Sequence, residues 1–145
     1  MRNVVRVLVI DDEPDVLLLC RVNLRHDGHE VLEAPDGATG LALAAEAPPD
    51  VVVLDLMMPA MDGYGVLAAL RDAEATRNVP VLVLSAKTQI EDRRRSLESG
   101  GDVFLSKPFA PETLGETLRE LVALDPAARA EARASALRAI EDERP

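Results

Sequence analysis

Aromatic residues are nearly missing from this chain, which has no Trp, one Tyr and two Phe among 145 residues. Its core must therefore be built from Val, Leu and Ala. Cys20 is the only cysteine, so an internal disulfide and a cysteine-based metal site are both excluded. It falls in an apolar helical stripe, where a buried small hydrophobe is expected rather than a reactive thiol. No apolar run reaches the roughly 18 residues of a membrane span, and the N-terminus lacks a signal-peptide pattern. A cytoplasmic protein is the expectation. Positive charge is scarce: 16 Lys and Arg against 26 Asp and Glu give a net charge of −10. That balance disfavours direct binding to nucleic acid or to an anionic membrane. The length fits one domain with a proper core.

What the chain does have is aliphatic runs that end in charge. Val51-Val-Val-Leu-Asp55 carries four aliphatic residues into one carboxylate, with Pro48-Pro49 before it and Pro59 after it. An apolar run of this kind reads as a strand buried on both faces. A charge at its end is costly to bury and needs a reason. Val4 to Ile10 is a second such run, and Asp11-Asp12 follow it.

Strand and helix then alternate. Asp12-Glu13-Pro14 starts a helix with Leu17, Cys20 and Leu24 on one face, and Gly28 stops it. His29 to Ala34 is a short strand. Ala38, Leu41, Ala42 and Ala45 form the expected inner face of a second helix. After the Val51–Asp55 strand, Asp62-Gly63 makes a turn and helix start. A third helix runs from about Tyr64 to Ala73 with Val66, Leu67 and Leu70 inward. Val79 to Leu84 is a strand, and a fourth helix of poor periodicity spans roughly Gln89 to Ser99, with Ile90 and Leu97 its only large apolar residues. Val103 to Leu105 is the last strand, and Pro111 opens a fifth helix with a stripe at Leu114, Leu118, Leu121 and Val122. Five alternations predict an α/β fold, a parallel sheet with helices on both faces joined by right-handed crossovers. The expected division is a domain over residues 1–124 and a helical tail over 125–145.

In such a sheet, ligands collect outside the carboxyl ends of the strands. Those ends present Asp11, Asp12, Asp55, Ser85 and Lys107. Each like-charge carboxylate contact near 4 Å costs about 4 kcal/mol at an effective dielectric near 20. Raised pKa values or a bound hard cation relieve it, and few carboxylates plus a carbonyl and waters suit Mg²⁺. A hydroxyl and an ammonium opposite suit a phosphoryl group, and an aspartate can accept one covalently.

The stretches Val-Ile-Asp11-Asp12-Glu-Pro, Leu54-Asp55-Leu-Met-Met-Pro59-Ala-Met-Asp62-Gly63, Leu84-Ser85-Ala86 and Phe104-Leu-Ser-Lys107-Pro108-Phe109 resemble the receiver domain of two-component response regulators. The resemblance covers roughly residues 4 to 124. It implies a flavodoxin-like, doubly wound sheet of order 2-1-3-4-5 with five helices, followed here by the tail. It implies that Asp55 is the phosphoacceptor and that Asp11, Asp12, Asp55 and the Met57 carbonyl hold Mg²⁺. Lys107 would pair with the phosphoryl group across a cis bond to Pro108, Ser85 would be the switch hydroxyl, and Phe104 the switch aromatic. A histidine kinase or phosphotransfer protein would donate the phosphoryl group. A downstream protein would dock on the face made by the fourth helix, fifth strand and fifth helix. The chain would catalyse only its own phosphoryl transfer and hydrolysis, without being a metabolic enzyme.

Other readings compete at single positions. Asp11 and Asp12 taken alone could be only a helix cap. His26 and His29 flank Gly28 and are expected in solvent. Arg93-Arg94-Arg95 is either a solvated helix face or part of the docking face. A flavodoxin-like electron carrier would share the topology but would want a hydroxyl- or glycine-rich phosphate loop, where Asp11-Asp12-Glu13 stand. An aspartyl phosphatase would need a general acid and a substrate cap. In the tail, Asp125-Pro126 opens a helix to about Ile140 whose acidic end, Glu141-Asp142-Glu143, is expected to fray. Leu137 and Ile140, with Ala130, Ala134 and Ala136 nearby, form a small apolar patch expected to pack on the domain or on a second copy, a homodimer being the favoured option.

Overall fold

The computed structural model describes residues 5–58, 62–87 and 89–143. The expected starting residue Val4 and the loop residues Pro59, Ala60 and Met61 lie outside them. Five strands form one parallel sheet: β1 (Arg6–Ile10), β2 (Glu30–Ala34), β3 (Val51–Asp55), β4 (Val81–Ser85) and β5 (Val103–Ser106). Their order is β2-β1-β3-β4-β5, as expected. The connecting helices are α1 (Pro14–His26), α2 (Gly37–Glu46), α3 (Gly63–Asp72), α4 (Ile90–Glu98) and α5 (Pro111–Val122), and α6 (Pro126–Glu143) follows.

The period-2 geometry of the strands divides the core. Val7, Val9, Val51, Val53, Leu82 and Leu84 face one side, where Cys20 and Leu24 of α1 and Leu114, Leu118 and Leu121 of α5 meet them. Leu8, Ile10, Val52, Leu54, Val81 and Val83 face the other, against Ala44 of α2 and Val66, Leu67 and Leu70 of α3. Each fully buried Leu or Val contributes roughly 1.5–3 kcal/mol of transfer free energy. All the strand residues of β3 and β4 are buried, which explains why their sequences are continuous rather than alternating.

Several local expectations need correction. The buried face of α2 is Gly37, Gly40 and Ala44, with Leu41 half-buried, whereas Ala38, Ala42 and Ala45 are exposed. Alanine is too weak a hydrophobe to set a helix's phase, and Gly40 lies so close to Ile10 that an added Cβ would meet its Cδ1 at 2.4 Å. His29 is buried, not solvated, and its Nδ1 accepts a long bond from the Val5 N–H at 3.4 Å. Val79 precedes β4 rather than belonging to it. The acidic end of α6 remains helical through Glu143, which pairs with Arg93 at 3.1 Å. α6 itself lies on the α4–β5 side of its own domain, with Ile140 buried. No helix among the described residues is long and apolar enough to cross a membrane.

Candidate functional site

Because all five strands are parallel, their carboxyl ends share one edge. The chain order reverses between β1 and β3, and there Asp11, just past β1, faces Asp55 at the end of β3. Both are buried, at 0% and 1% exposure. One oxygen of each is committed to its own backbone turn. Asp11 Oδ1 accepts from the Glu13 N–H at 2.9 Å, and Asp55 Oδ1 accepts from the Met57 N–H at 3.0 Å. Among the described residues, Asp11 Oδ2 and Asp55 Oδ2 have no donor near them but the Lys107 ammonium. A buried carboxylate oxygen in that condition calls for a compensating charge.

Lys107, just beyond β5, supplies the countercharge. Its Nζ lies 2.9 Å from Asp11 Oδ2, 2.9 Å from Glu13 Oε1 and 3.5 Å from Asp55 Oδ2. The peptide bond from Lys107 to Pro108 is cis. Burial works against the ammonium, but the bonds to Glu13 and Asp11 outweigh it and raise its pKa. Burial raises the Asp55 carboxyl to about 6, with the Asp11 charge adding to the rise and the Met57 N–H and Lys107 opposing it. Asp11 is raised as well, again chiefly by burial.

Asp12 and Glu13 complete the acid cluster from the solvent side. Ligand atoms of Asp11, Asp12, Glu13 and Asp55 all lie within 4.8 Å of one another. Two buried carboxylate oxygens that share one ammonium, beside two exposed acids, form an all-oxygen donor set of the kind a hard divalent cation takes. Glu13 was expected only as part of a helix start. Its link to Lys107, 94 residues away, is a contact that no local pattern carries.

Ser85 ends β4 next to β3 and is buried; its Oγ accepts from the Lys87 N–H at 3.0 Å. Met57 is half exposed. Phe104 is half-buried on β5 and packs against the α2/α3 core. The structure thus brings Asp11, Asp12, Asp55, Ser85 and Lys107 to one edge and sets Phe104 at its flank. Beside the acids, a cavity of about 450 Å³ is lined by Met57, Met58, Tyr64, Ser85, Lys87 and Arg95, among others. Arg95 stacks on the Tyr64 ring, 3.8 Å from its centroid. The three consecutive arginines thus part company: Arg93 pairs with Glu143, Arg94 with Glu91 and Glu98, and Arg95 with Tyr64.

Comparison with known proteins meets this geometry. The family profile described as "Response regulator receiver domain" matches residues 7–119. The chain is 43% identical over 117 residues to the DNA-binding dual master transcriptional regulator RpaA of Synechocystis sp., covering 81% of this chain and 48% of that protein. It is 48% identical over 118 residues to the transcriptional regulatory protein PrrA of Mycobacterium tuberculosis, covering 81% and 47%. The chain spans about half the length of these curated relatives. Among solved structures, the chemotaxis response regulator CheY4 of Vibrio cholerae superposes with a TM-score of 0.78 at 34% identity, covering 82% of this chain and 99% of that one. A putative response regulator from Chloroflexus aurantiacus gives 0.80 at 29% identity, covering 84% and 100%.

Proposed function

Since this chain belongs to the response regulator receiver domain family, we propose that Asp55 is its phosphoacceptor and that phosphorylation there switches partner binding. The observation that supports it is the buried Asp55 Oδ2, left without a hydrogen bond 3.5 Å from the Lys107 ammonium, at the point where the strand order reverses. An Asp55 oxygen attacks the phosphorus of a phosphohistidine on a histidine kinase or phosphotransfer protein. The bond from phosphorus to the donor nitrogen breaks, its electron pair stays on that nitrogen, and the ring, already protonated on its other nitrogen, leaves as neutral imidazole. Lys107 neutralises charge on the transferring oxygens, and the Ser85 hydroxyl, whose oxygen accepts from the Lys87 N–H, donates its proton to a phosphoryl oxygen.

Mg²⁺ fits the acid cluster. Asp11, Asp12, Asp55 and the Met57 carbonyl would hold it, and when bound it would supply charge neutralisation at the phosphoryl oxygens. On this reading the chain catalyses only its own phosphorylation and the hydrolysis of the aspartyl phosphate. Its place is the cytoplasm, where the donor kinase domains work. An electron-carrier role is disfavoured because Asp11, Asp12 and Glu13 occupy the position where a flavin phosphate would need donors.

Acetyl phosphate with Mg²⁺ should add one phosphoryl group, and peptide mapping should place it on Asp55. Asp55→Asn should abolish it, because an amide is a poor nucleophile. Undiminished labelling of Asp55→Asn would refute the assignment.

A further inference from the structure

We propose that α6 is a built-in, displaceable cover of the α4–β5 face, docked in the resting chain and released when Asp55 carries a phosphoryl group; this rests on the acceptor reading given above. α6 is clasped at both ends, and an open groove runs along it in between. Near its start, Arg129 is buried and donates to the carbonyls of Leu124 at 3.0 Å and Asn78 at 2.5 Å. One turn on, Arg133 lies 3.4 Å from Asp102 Oδ1. At the far end Ile140 is 3% exposed and Glu143 meets Arg93 at 3.1 Å.

Between the clasps lies a groove of about 370 Å³, where Ala132, Ala136 and Ala139 of α6 confront Leu97, Val103 and Phe104. The alanines remove little apolar surface from water, and the contacts that join α6 to the domain include the Arg133–Asp102 and Arg93–Glu143 pairs, the Arg129 bond to the Asn78 carbonyl and buried Ile140, with Leu137 half-buried. Detached, this 18-residue helix keeps only its local propensity, because most helical stability in proteins comes from packing. Such an arrangement suits a segment that leaves.

The floor of the groove is tied to the acid site. α4 begins at Ile90, a few residues after Ser85 and Lys87, and carries the Arg93 and Leu97 that α6 sits on. Phe104 stands opposite Val83 in the sheet, two residues before Ser85, with one side on the core and the other on the groove. In the docked structure, Ser85 Oγ is engaged by the Lys87 N–H, and Lys107 by Asp11 and Glu13. A phosphoryl group on Asp55 accepts from the Ser85 hydroxyl, whose own donor is separate from the lone pair that the Lys87 N–H uses, and competes with Asp11 and Glu13 for the ammonium. Drawing the Ser85–Lys87 loop inward moves the entry to α4, and with it the surface α6 rests on. Docked α6 and phosphorylated Asp55 therefore oppose each other, and by linkage each weakens the other equally.

The test uses the full chain, with beryllofluoride plus Mg²⁺ as the phosphoryl probe. Hydrogen–deuterium exchange should show residues 128–143 protected without the probe and exposed at saturation. Ile140→Asp, which undocks α6 far from the acids, should expose them from the outset and bind beryllofluoride at least about fivefold more tightly, the lower bound of typical site–site coupling. Glu143→Lys, a surface change that sets like charge against Arg93, should move both readouts the same way by less. Unchanged α6 protection at saturation, with equal affinity in all three proteins, would overturn the proposal while leaving Asp55 as acceptor. Failure of every protein to bind the probe would overturn both.

Discussion

Gly63→Ala sets two local rules against each other. Gly63 opens α3 behind the Asp62 cap, whose Oδ1 accepts from the Gly65 N–H at 2.9 Å. Helix propensity alone favours alanine over glycine by up to about 1 kcal/mol. Sterics demand the reverse. A Cβ at this position would lie 2.4 Å from Leu56 Cα and 2.6 Å from the Asp55 carbonyl oxygen. Both are backbone atoms of the acceptor strand's end, and no rotamer change moves them away. The Gly63 N–H also donates to the Leu56 carbonyl at 3.0 Å, so the loop cannot back off without losing that bond. Overpacking typically costs 1–3 kcal/mol, and an immovable contact belongs at the upper end, about 3 kcal/mol. For a chain of this size that lowers Tm by about 10 °C. Gly40→Ala is the comparison, because the three atoms nearest its added Cβ belong to the Ile10 side chain and not to the backbone. Urea denaturation of the three metal-free proteins measures the difference. If Gly63→Ala equals the parent, or is no less stable than Gly40→Ala, the steric argument is wrong.

Other outcomes follow from the site and its supports. The Asp55 carboxyl, raised to about 6 in the fold, sits above its ordinary value near 4, so its ionised form opposes folding. Metal-free Asp55→Asn should therefore exceed the parent in stability by about 1–3 kcal/mol at pH 7.5, and the advantage should vanish as pH falls through 6 to 4; denaturation series at both ends check this. Mg²⁺ affinity should weaken over the same fall, measured by calorimetry. Arg71 donates to Gly100 and Val79 carbonyls and to Asp102, which is buried, so Arg71→Met should cost roughly 3 kcal/mol in chemical denaturation, Arg133 sparing Asp102 complete isolation. Met57, half exposed beside the acids, cannot orient an attacking water by hydrogen bonding, and Met57→Asn should shorten the aspartyl-phosphate half-life, followed by loss of label.

The sequence and the structure part company in an instructive way. β1, β3 and β4 and the stripes of α1, α3 and α5 were readable because large aliphatic residues set their phase. α2 misled because its face is made of Gly37, Gly40 and Ala44, residues whose burial follows from closeness to Ile10 and not from hydrophobicity. α4 looked aperiodic because it shares its outer side with α6: Leu97 lines the groove beneath that helix, and buried Ser96 satisfies its hydroxyl on the Arg93 carbonyl at 2.9 Å. The acid cluster was legible as residue types at strand ends, since a parallel sheet brings those ends together whatever the loops do. The pairing of Glu13 with Lys107, and of Arg71 with Asp102, was not, because long side chains choose partners only once the backbone is placed.

A chain without tryptophan has one tyrosine to emit when excited in the tyrosine band, where Phe104 and Phe109 do not absorb. Tyr64 sits on the wall of the cavity beside the acids, under the Arg95 guanidinium. Its fluorescence is thus a native optical readout of one stack, joining the start of α3 to the middle of α4. Any event at the strand edge that shifts α4 changes the distance between ring and cation, and with it the emission. No dye or engineered residue is needed to follow such a shift in real time.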